Sequence, residues 1–484
     1  GLYAELIQNR SFEDNTSSPD HWTAVGGATL TLTTDNMMNA NQGHALGLTA
    51  TAAGDGIRND GFWGICYVSG DTYKASFWIR SDSEWTGTVT AKLLDSSLGA
   101  IGQADIAVEA GTAWKQYTAT ITATATAVGG YFDLCLGSAA NVQLDMVSLF
   151  PPTYNDRDNG FRRDMGQMLA DIKPTFMRFP GGCYIEGQWD EEKGSDFRYL
   201  WKNSVGPVES RIPLWNNRWG YMVTNGQGIY EYLLYCEDIG AVPMYVVNIG
   251  VGHEWAHDYQ DLDEYIQEAL DVIEYCNGDV TTTWGAKRAE AGDPEPFNLK
   301  YIEMGNENYT FDHYAERYIQ FYNAIKERYP DIVCIGNDPC WGTDYPKWGL
   351  SHPVDLVDEH YYRTPAWFMA SYHHYDSYPR TDPKVYVGEW AASESKGTLG
   401  NMNAALGEAI FMCGAEKNSD VVKMLSFSEP IAHINDVRWP AMIYHNSEKA
   451  VGTPSYYAQK MYGQNIGKQN VVWTETGNSA SSVC

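Results

Sequence analysis

The pattern of apolar and polar residues changes once along the chain, near Pro151 and Pro152. Before this point, short alternating segments such as 73–80 and 86–93 are separated by turns rich in Gly, Thr and Ser. Alternation with a period of two is typical of strands with one buried face, and many short strands without a helical period favour an antiparallel sandwich. We therefore predict an all-β, jelly-roll-like sandwich over residues 13–152.

After this boundary, apolar runs typical of buried strands alternate with stretches of helical period. Repeated β-α units predict a parallel sheet, and this many of them favour a (β/α)8 TIM barrel over residues 153–434. The predicted strands are 175–180, 242–249, 300–305, 332–336, 356–360, 384–388 and 421–427, and the predicted helices include 158–172, 228–239, 262–275, 311–329 and 401–413.

Only seven barrel strands can be identified where the fold needs eight. The missing strand should precede the 158–172 helix, and the only upstream candidate outside the sandwich is the start of the chain. We assign residues 1–12 to the barrel and expect residues 1–8 not to form a full-length first strand. Residues 435–484 are expected to form a short, partial C-terminal β region and a polar tail.

Composition narrows the classes of partner. Lys and Arg number 33 against 62 Asp and Glu, a formal charge of −29, which disfavours nucleic acid and anionic membrane surfaces and fits a protein that acts on neutral molecules. No run approaches the ~20 apolar residues of a membrane span. Nine Cys are scattered without a CxxC pair, so neither a zinc ribbon nor a disulfide scaffold is predicted. The chain begins at Gly1, which is compatible with a removed leader, and we expect an extracellular or periplasmic location.

Two glutamates follow apolar runs that resemble strands: Glu307 in 301–308 and Glu389 in 385–390. A parallel barrel brings the C-terminal ends of its strands to one face, where active sites of this fold lie. Two carboxyl groups across one sugar are what glycoside hydrolysis generally needs, and Asn306 directly before Glu307 strengthens the signal. Either glutamate alone is typical of a solvated loop, but the pair indicates glycosidase chemistry.

Other polar residues also lie at predicted strand ends. Arg178 precedes a Pro-Gly-Gly turn that lets the backbone approach a ligand closely, and a guanidinium is the usual partner of a buried carboxylate. His360 and Tyr362 end another strand, where in isolation they would be typical of satisfied core groups. Cys183 has no His or second Cys near it in sequence, which argues against a metal-ligand or nucleophile role.

Two further patterns leave the chemistry open. Residues 253–257 match H-E-x-x-H, but they follow a strand that runs into Gly-rich sequence, and a loop removes the helical spacing that zinc binding by this motif depends on. We interpret them as a polar loop.

In the predicted sandwich, a sugar-stacking platform and ordinary core packing are both compatible with the aromatic side chains of Trp22, Trp63, Trp78, Trp85 and Trp114.

With these residues in view, the chain resembles the α-L-arabinofuranosidases of glycoside hydrolase family 51, in the branch with a carbohydrate-binding-like insertion. The resemblance covers most of the chain outside the sandwich. Family members carry a further barrel strand upstream and a longer C-terminal sandwich, so we expect this chain to lack the first strand and part of that sandwich. The segments that carry the resemblance are 1–12, 176–187, 201–206, 219–238, 302–308, 389–391 and 451–457.

The resemblance implies a role for each residue around the two glutamates. Glu307 would be the general acid/base and Glu389 the nucleophile of a retaining double displacement. Asn306 would bind the sugar 2-hydroxyl. Arg178 would hold Glu389 ionised, and Tyr362 would donate a hydrogen bond to the same nucleophile.

Three more residues would complete the sugar pocket. The resemblance implies that His360 lines the site near the acid/base, that Cys183 borders the subsite of the reacting sugar, and that Trp439 forms a wall after the last strand. It also implies that no cofactor or catalytic metal is used.

The expected function is exo-acting release of terminal α-L-arabinofuranosyl residues from arabinoxylan, arabinan or related oligosaccharides, with plant cell-wall glycans as partners. Two alternatives remain open at this stage. A β-glycanase or β-xylosidase on the same scaffold would use the same two carboxyl groups. A truncated, non-catalytic carbohydrate-binding protein would account for the missing first strand.

Overall fold

The computed structural model describes residues 1–190, 195–196, 198–253, 261–338, 348–393, 400–437 and 439–470. Four of the five residues of the H-E-x-x-H pattern, Glu254 to His257, lie outside the described residues, as does most of the predicted polar tail, 471–484. The described chain forms an antiparallel β-sandwich, an α/β unit built on a parallel sheet, and a small C-terminal sheet.

The sandwich is built from eleven strands with alternating buried side chains. The strands are β1 (Trp22–Val25), β2 (Thr29–Thr33), β3 (Ala45–Ala50), β4 (Gly56–Asn59), β5 (Ile65–Tyr67), β6 (Thr72–Arg80), β7 (Trp85–Leu94), β8 (Ala100–Ala110), β9 (Lys115–Thr122), β10 (Ala127–Leu136) and β11 (Ala140–Phe150). One sheet has the order β1-β4-β10-β7-β8, with β5 beside β10, and the other the order β2-β3-β11-β6-β9. In β6, Tyr73, Ala75, Phe77 and Ile79 point into the core, as the period of two requires.

The first twelve residues, assigned to the barrel on sequence, contact both units. Ile7 and Phe12 lie in the sandwich core. Glu5 accepts hydrogen bonds from the backbone N–H of Leu149 in β11 and from a guanidinium N–H of Arg10, at 2.9 and 3.3 Å. Tyr3, in contrast, forms an isolated antiparallel bridge with Phe161, which precedes the first barrel helix.

The α/β unit and the C-terminal region follow in chain order. Their elements are α1 (Arg163–Asp171), β12 (Phe176–Phe179), α2 (Gly182–Glu186), β13 (Trp189–Asp190), β14 (Ser195–Asp196), β15 (Leu214–Asn216), β16 (Tyr221–Val223), α3 (Ile229–Ile239), β17 (Val242–Val247), α4 (Asp263–Asn277), α5 (Thr283–Ala291), β18 (Tyr301–Met304), α6 (Tyr314–Arg328), β19 (Val333–Asn337), β20 (Leu356–Arg363), α7 (Pro365–Ala370), β21 (Lys384–Ala392), α8 (Met402–Lys417), β22 (Val422–Phe427), β23 (Ile431–His433), β24 (Ile443–His445), β25 (Ala450–Gly452) and α9 (Pro454–Gln464). None of the described helices is long and apolar enough to cross a membrane.

Seven parallel strands form one sheet in the sequential order β12-β17-β18-β19-β20-β21-β22. Each corresponds to a predicted strand, and the predicted (β/α) barrel with an added β-sandwich is confirmed. Within the described residues, no strand joins β12 to β22, so the sheet is open at this seam. Helix α1 begins at Arg163 rather than near 158, because Thr153 and Arg162 form a β-bridge that holds the preceding residues in a turn.

The layer between sheet and helices sets the orientation of β21. Trp390 is fully buried against Phe411 of α8 and Phe368 of α7, with ring centroids 5.4 and 5.8 Å apart. Successive side chains of a strand point to opposite faces of the sheet. Because Trp390 points outward to the helices, Glu389 points inward, toward the barrel interior.

This packing predicts a large loss of stability on truncation of Phe411. Phe411 is fully buried, so Phe411→Ala should lower the free energy of unfolding by about 3–5 kcal/mol. Met402, on the same helix but 63% exposed, is the matched control, and Met402→Ala should change it by less than about 0.5 kcal/mol. Denaturant titration measures both variants. Equal effects of the two substitutions would show that Phe411 is not packed in the layer between sheet and helices.

Candidate active site

Two of the predicted carboxyl groups meet at the C-terminal ends of the parallel strands. Glu307 follows β18 and Glu389 lies near the end of β21. Three atoms lie within 4.8 Å of one another: one carboxylate oxygen of Glu307, one carboxylate oxygen of Glu389 and a ring nitrogen of His360. Retaining glycosidases place their two carboxyl groups ~5–5.5 Å apart, whereas inverting enzymes need ~6.5–9.5 Å to admit water. The observed closeness fits the first geometry.

Glu389 is held by two donors, one on each oxygen. Arg178 Nη1 donates to Oε1 at 2.9 Å, and the Tyr362 hydroxyl donates to Oε2 at 2.7 Å. Burial by itself would raise the pKa of Glu389. The positive charges of His360 and Arg178 and the hydrogen bond from Tyr362 outweigh it, so the pKa of Glu389 is lowered and the carboxylate form is favoured.

Arg178 also binds a carboxylate that sequence reasoning did not single out. Its Nε and Nη2 donate to the two oxygens of Glu303 at 2.6 and 3.2 Å, and Nη2 donates to Asn306 Oδ1 at 3.0 Å. Glu303 is completely buried inside β18, and this burial raises the pKa of its carboxyl. The available signal was a charged residue in the apolar run 301–304, where a carboxylate is buried only if it is paired.

His360 lies between two carboxylates. One ring nitrogen is 2.8 Å from Glu307 Oε1 and the other 2.8 Å from Asp358 Oδ2. Burial would lower the pKa of His360, but the charges of Asp358 and Glu389 raise it well above its ordinary value. Because carboxylates only accept hydrogen bonds, an imidazolium that donates from both nitrogens satisfies this arrangement.

Asp358 is a second site residue that sequence reasoning missed. It lies two residues before His360 on β20 and therefore on the same face of the strand. Its Oδ1 accepts from the backbone N–H of Gly388 at 2.6 Å, and a Cβ at position 388 would lie 2.3 Å from that oxygen. Position 388 therefore requires glycine. Burial would raise the pKa of Asp358, but His360 lowers it below its ordinary value.

Asn306 has a side-chain donor in position for a ligand. Its Oδ1 accepts from Arg178, while its Nδ2 is buried and makes no hydrogen bond within the described part of the chain. A buried polar group without a protein partner is expected to meet water or a ligand. Trp439, the predicted wall, packs edge-on against Tyr362 with ring centroids 5.0 Å apart.

Cys183 lies beside this cluster, on α2. The neighbouring Gly182 faces Glu389 closely enough that a Cβ there would lie 3.5 Å from Oε1. Burial raises the pKa of the Cys183 thiol, with a further contribution from Glu186, so the protonated thiol is favoured and a nucleophilic role is not.

Among the residues that the structure describes, three groups of donor atoms are close enough to hold a metal ion: Cys183, Glu186 and His253; Glu303, Asp358 and His360; and Glu307, His360 and Glu389. In the last two groups the imidazolium of His360 already supplies positive charge between the carboxylates.

All eight site residues predicted from the sequence lie at this end of the sheet, in contact with one another or beside the cluster.

The raised pKa of His360 predicts a protonated ring at neutral pH. In ¹⁵N NMR at pH 7.5, His360 should show imidazolium shifts, and Asp358→Asn should lower its pKa because one carboxylate is removed. A raised folded pKa means that this ring's contribution to stability is complete below about pH 6.5 and is lost as pH rises through the folded pKa. For the NMR measurement, the control is the denatured chain at the same pH. Neutral-ring shifts for His360 in the native protein would refute this prediction.

Family models match three parts of the chain. The α-L-arabinofuranosidase 1 domain matches residues 168–380, and the α-L-arabinofuranosidase C-terminal domain matches 388–482. A carbohydrate-binding domain matches 4–141, which covers most of the sandwich.

Known proteins resemble the chain over nearly its whole length. Alpha-L-arabinofuranosidase 1 of Arabidopsis thaliana is 35% identical over 100% of this chain and 72% of its own length. The extracellular exo-alpha-L-arabinofuranosidase of Streptomyces chartreusis is 39% identical over 97% of this chain and 58% of its own length. An arabinose-bound family 51 α-L-arabinofuranosidase structure superposes with a TM-score of 0.88 at 32% identity, over 97% of this chain and 78% of that one. The chain belongs to the family 51 α-L-arabinofuranosidases.

Proposed function

We propose that this chain is a retaining, exo-acting α-L-arabinofuranosidase that releases terminal α-L-arabinofuranosyl residues from arabinoxylan, arabinan or arabino-oligosaccharides. The observation that carries the proposal is the close pair Glu307 and Glu389, whose carboxyl groups have different partners. Arg178 and Tyr362 favour the charged form of Glu389, as a nucleophile requires. Glu307 touches His360 and is partly exposed, as a group that exchanges protons with substrate and water requires.

In the first step, Glu389 would attack the anomeric carbon while Glu307 protonates the leaving oxygen. Oε1 of Glu307 already accepts a hydrogen bond from His360, so the catalytic proton would be carried on Oε2. The C–O bond to the leaving group breaks as the bond to the Glu389 oxygen forms. Glu307, now deprotonated, would then accept a proton from water, whose oxygen attacks the same carbon. The bond between this carbon and the Glu389 oxygen breaks, which restores the Glu389 carboxylate and releases the sugar with retained configuration.

Two further residues would position the sugar. The buried Nδ2 of Asn306 would donate to the 2-hydroxyl beside the reacting carbon, since it has no partner among the described residues. A hydrogen bond at this position generally strengthens in the transition state. Trp439 and Cys183 would line the walls of the same subsite.

The sandwich would bind glycan chains near the catalytic unit. It matches a carbohydrate-binding domain, and Trp63 is 58% exposed, whereas Trp22 is buried. One face of the Trp63 indole stacks on His433, with ring centroids 4.2 Å apart, so the opposite face would be the one that stacks on a sugar ring. The Streptomyces relative is named extracellular, and we propose a location outside the cytoplasm, extracellular or periplasmic, where polymeric substrates are accessible.

Replacing the two glutamates should separate their roles. Glu389→Ala removes the nucleophile, so aryl α-L-arabinofuranosides with good and poor leaving groups should lose kcat alike, by several orders of magnitude. Glu307→Ala removes proton transfer, so an activated nitrophenolate should still depart while natural glycosides stall. Azide, which needs no base, should then accelerate turnover of Glu307→Ala and yield the retained glycosyl azide.

The opposite pattern, a retained glycosyl azide from Glu389→Ala and an inverted glycosyl azide from Glu307→Ala, would show that the two roles are exchanged. No effect of azide on Glu307→Ala with an activated substrate would overturn the acid/base role of Glu307. The specificity control uses the unmodified chain. It is assayed on aryl α-L-arabinofuranoside, aryl β-xyloside and carboxymethyl cellulose. Faster hydrolysis of either β-linked substrate would favour the β-xylosidase or β-glycanase alternative.

The hydrogen bond from Tyr362 should set the acid limb of the pH profile. Tyr362→Phe removes a donor to the charged form of Glu389 and so raises its pKa toward the ordinary value. Because activity requires ionised Glu389, the acid limb of kcat/KM should move up by about 0.5–1 pH units, with the basic limb unchanged. Tyr361→Phe is the matched control, since the adjacent Tyr361 hydroxyl donates to Glu359 instead. An unmoved acid limb in Tyr362→Phe would contradict the assigned contact.

A further inference from the structure

The backbone of Glu307 adopts a conformation that only its surroundings can maintain. Its φ is 54° and its ψ 22°, in the left-handed region that side chains with a Cβ rarely occupy. Such conformations persist where neighbouring contacts over-determine them, and they concentrate at functional sites. Gly305, two residues earlier, is also left-handed, with φ 81°. The turn 305–308 therefore depends on what binds it from outside.

The side chain of Asn308 closes this turn. Its Oδ1 accepts from the backbone N–H of Asn306 at 2.9 Å, and its own backbone N–H donates to Asn337 Oδ1 at 3.2 Å. A Cβ at position 305 would lie 2.4 Å from Asn308 Oδ1, so the amide can approach only because residue 305 is glycine. Asn308 thus connects the residues on both sides of Glu307.

Glu186 in turn fixes the amide of Asn308. Asn308 Nδ2 donates to Glu186 Oε1 at 2.8 Å, and Glu186 Oε2 is 2.8 Å from a ring nitrogen of His253. Glu186 and Asn308 are both buried. Glu186 ends α2, the segment that follows the strand of Arg178, so this hydrogen bond joins the strand-end segment of β12 to that of β18.

The proposed mechanism uses neither Glu186 nor Asn308. We propose that they are positioning residues for the acid/base: the Glu186–Asn308 hydrogen bond holds the Asn308 amide, and the amide holds Glu307 in its left-handed conformation, with its carboxyl against His360 and beside Glu389. The inference rests on the proposed acid/base role of Glu307.

Loss of this hydrogen bond should therefore impair proton transfer more than nucleophilic attack. If the turn relaxes toward right-handed geometry, the Glu307 carboxyl moves, while Arg178 and Tyr362 still hold Glu389. A misplacement of ~1 Å can cost ~10²-fold in rate. Hydrolysis of substrates whose leaving group needs a proton should therefore slow by this factor. Hydrolysis of substrates with activated leaving groups should change little.

The test measures kcat/KM for aryl α-L-arabinofuranosides whose leaving groups span a range of pKa. For Glu186→Ala and Asn308→Ala, we expect a loss of about 10- to 100-fold with the poorest leaving group but only a few-fold loss with dinitrophenolate, which steepens the dependence on leaving-group pKa. Glu186→Gln keeps an acceptor for Asn308 and should restore a slope near that of the unmodified chain. Asn308→Asp provides a second variant should Asn308→Ala fail to fold, since it replaces the Nδ2 donor with an oxygen facing Glu186 and should also steepen the slope.

Glu231→Ala controls for general destabilisation, because Glu231 is a buried carboxylate bound to Arg211 at 2.8 Å and lies in α3, outside the site. It should leave the slope unchanged. The inference would be overturned if the Glu186 and Asn308 variants lost kcat/KM uniformly across all leaving groups. It would also be overturned if their dependence on leaving-group pKa had the same slope as that of Glu231→Ala. Glu307→Ala is measured in parallel: if it lacks leaving-group selectivity, the proposed acid/base role fails, and if only the Glu186 and Asn308 variants lack it, the positioning role alone fails.

Discussion

A single buried guanidinium organises the site. Arg178 donates to Glu389, to both oxygens of Glu303 and to Asn306, and its side chain is only 8% exposed. Removing one partner of a buried ion pair typically costs about 3–5 kcal/mol, because an uncompensated charge is left behind. The same contacts keep Glu389 charged and orient it. Stability of this end of the barrel and readiness for nucleophilic attack therefore depend on one interaction.

The second cation, His360, complements the first. It separates Glu307 from Asp358 and lies 3.7 Å from Glu389 Oε2, so two fixed positive charges lie among closely spaced carboxylates. The outward packing of Trp390 against the helices keeps the strand of Glu389 from rotating. Charges held in place before the substrate arrives need not reorganise during the reaction, and such preorganised electrostatics are usually a large part of catalysis.

Much of this arrangement could be predicted from sequence, for a physical reason. Parallel strands separated by helices bring their C-terminal ends together, so polar residues at those ends, such as Glu307 and Tyr362, can be recognised as candidates from their positions in the chain. Glu303, Asp358 and Glu186 were missed because they lie within apolar runs or a short helix, where sequence does not distinguish an inward-facing charge from a solvated one. Glu303 and Glu186 also find their partners far along the chain: Arg178 lies 125 residues from Glu303, and Asn308 lies 122 residues from Glu186. The seven strands and the missing first strand were likewise predictable, because no other apolar run outside the sandwich precedes α1, and the described sheet is open between β12 and β22.

Covalent labelling can show directly whether an ionised Glu389 is the nucleophile. The unmodified chain is incubated with an electrophilic arabinofuranose mimic, such as an epoxide or aziridine of the sugar ring, and its peptides are mapped by mass spectrometry. We expect one ester, located on Glu389, that forms in step with the loss of activity. A label on Glu307 or Glu303, or loss of activity with no ester on Glu389, would contradict it.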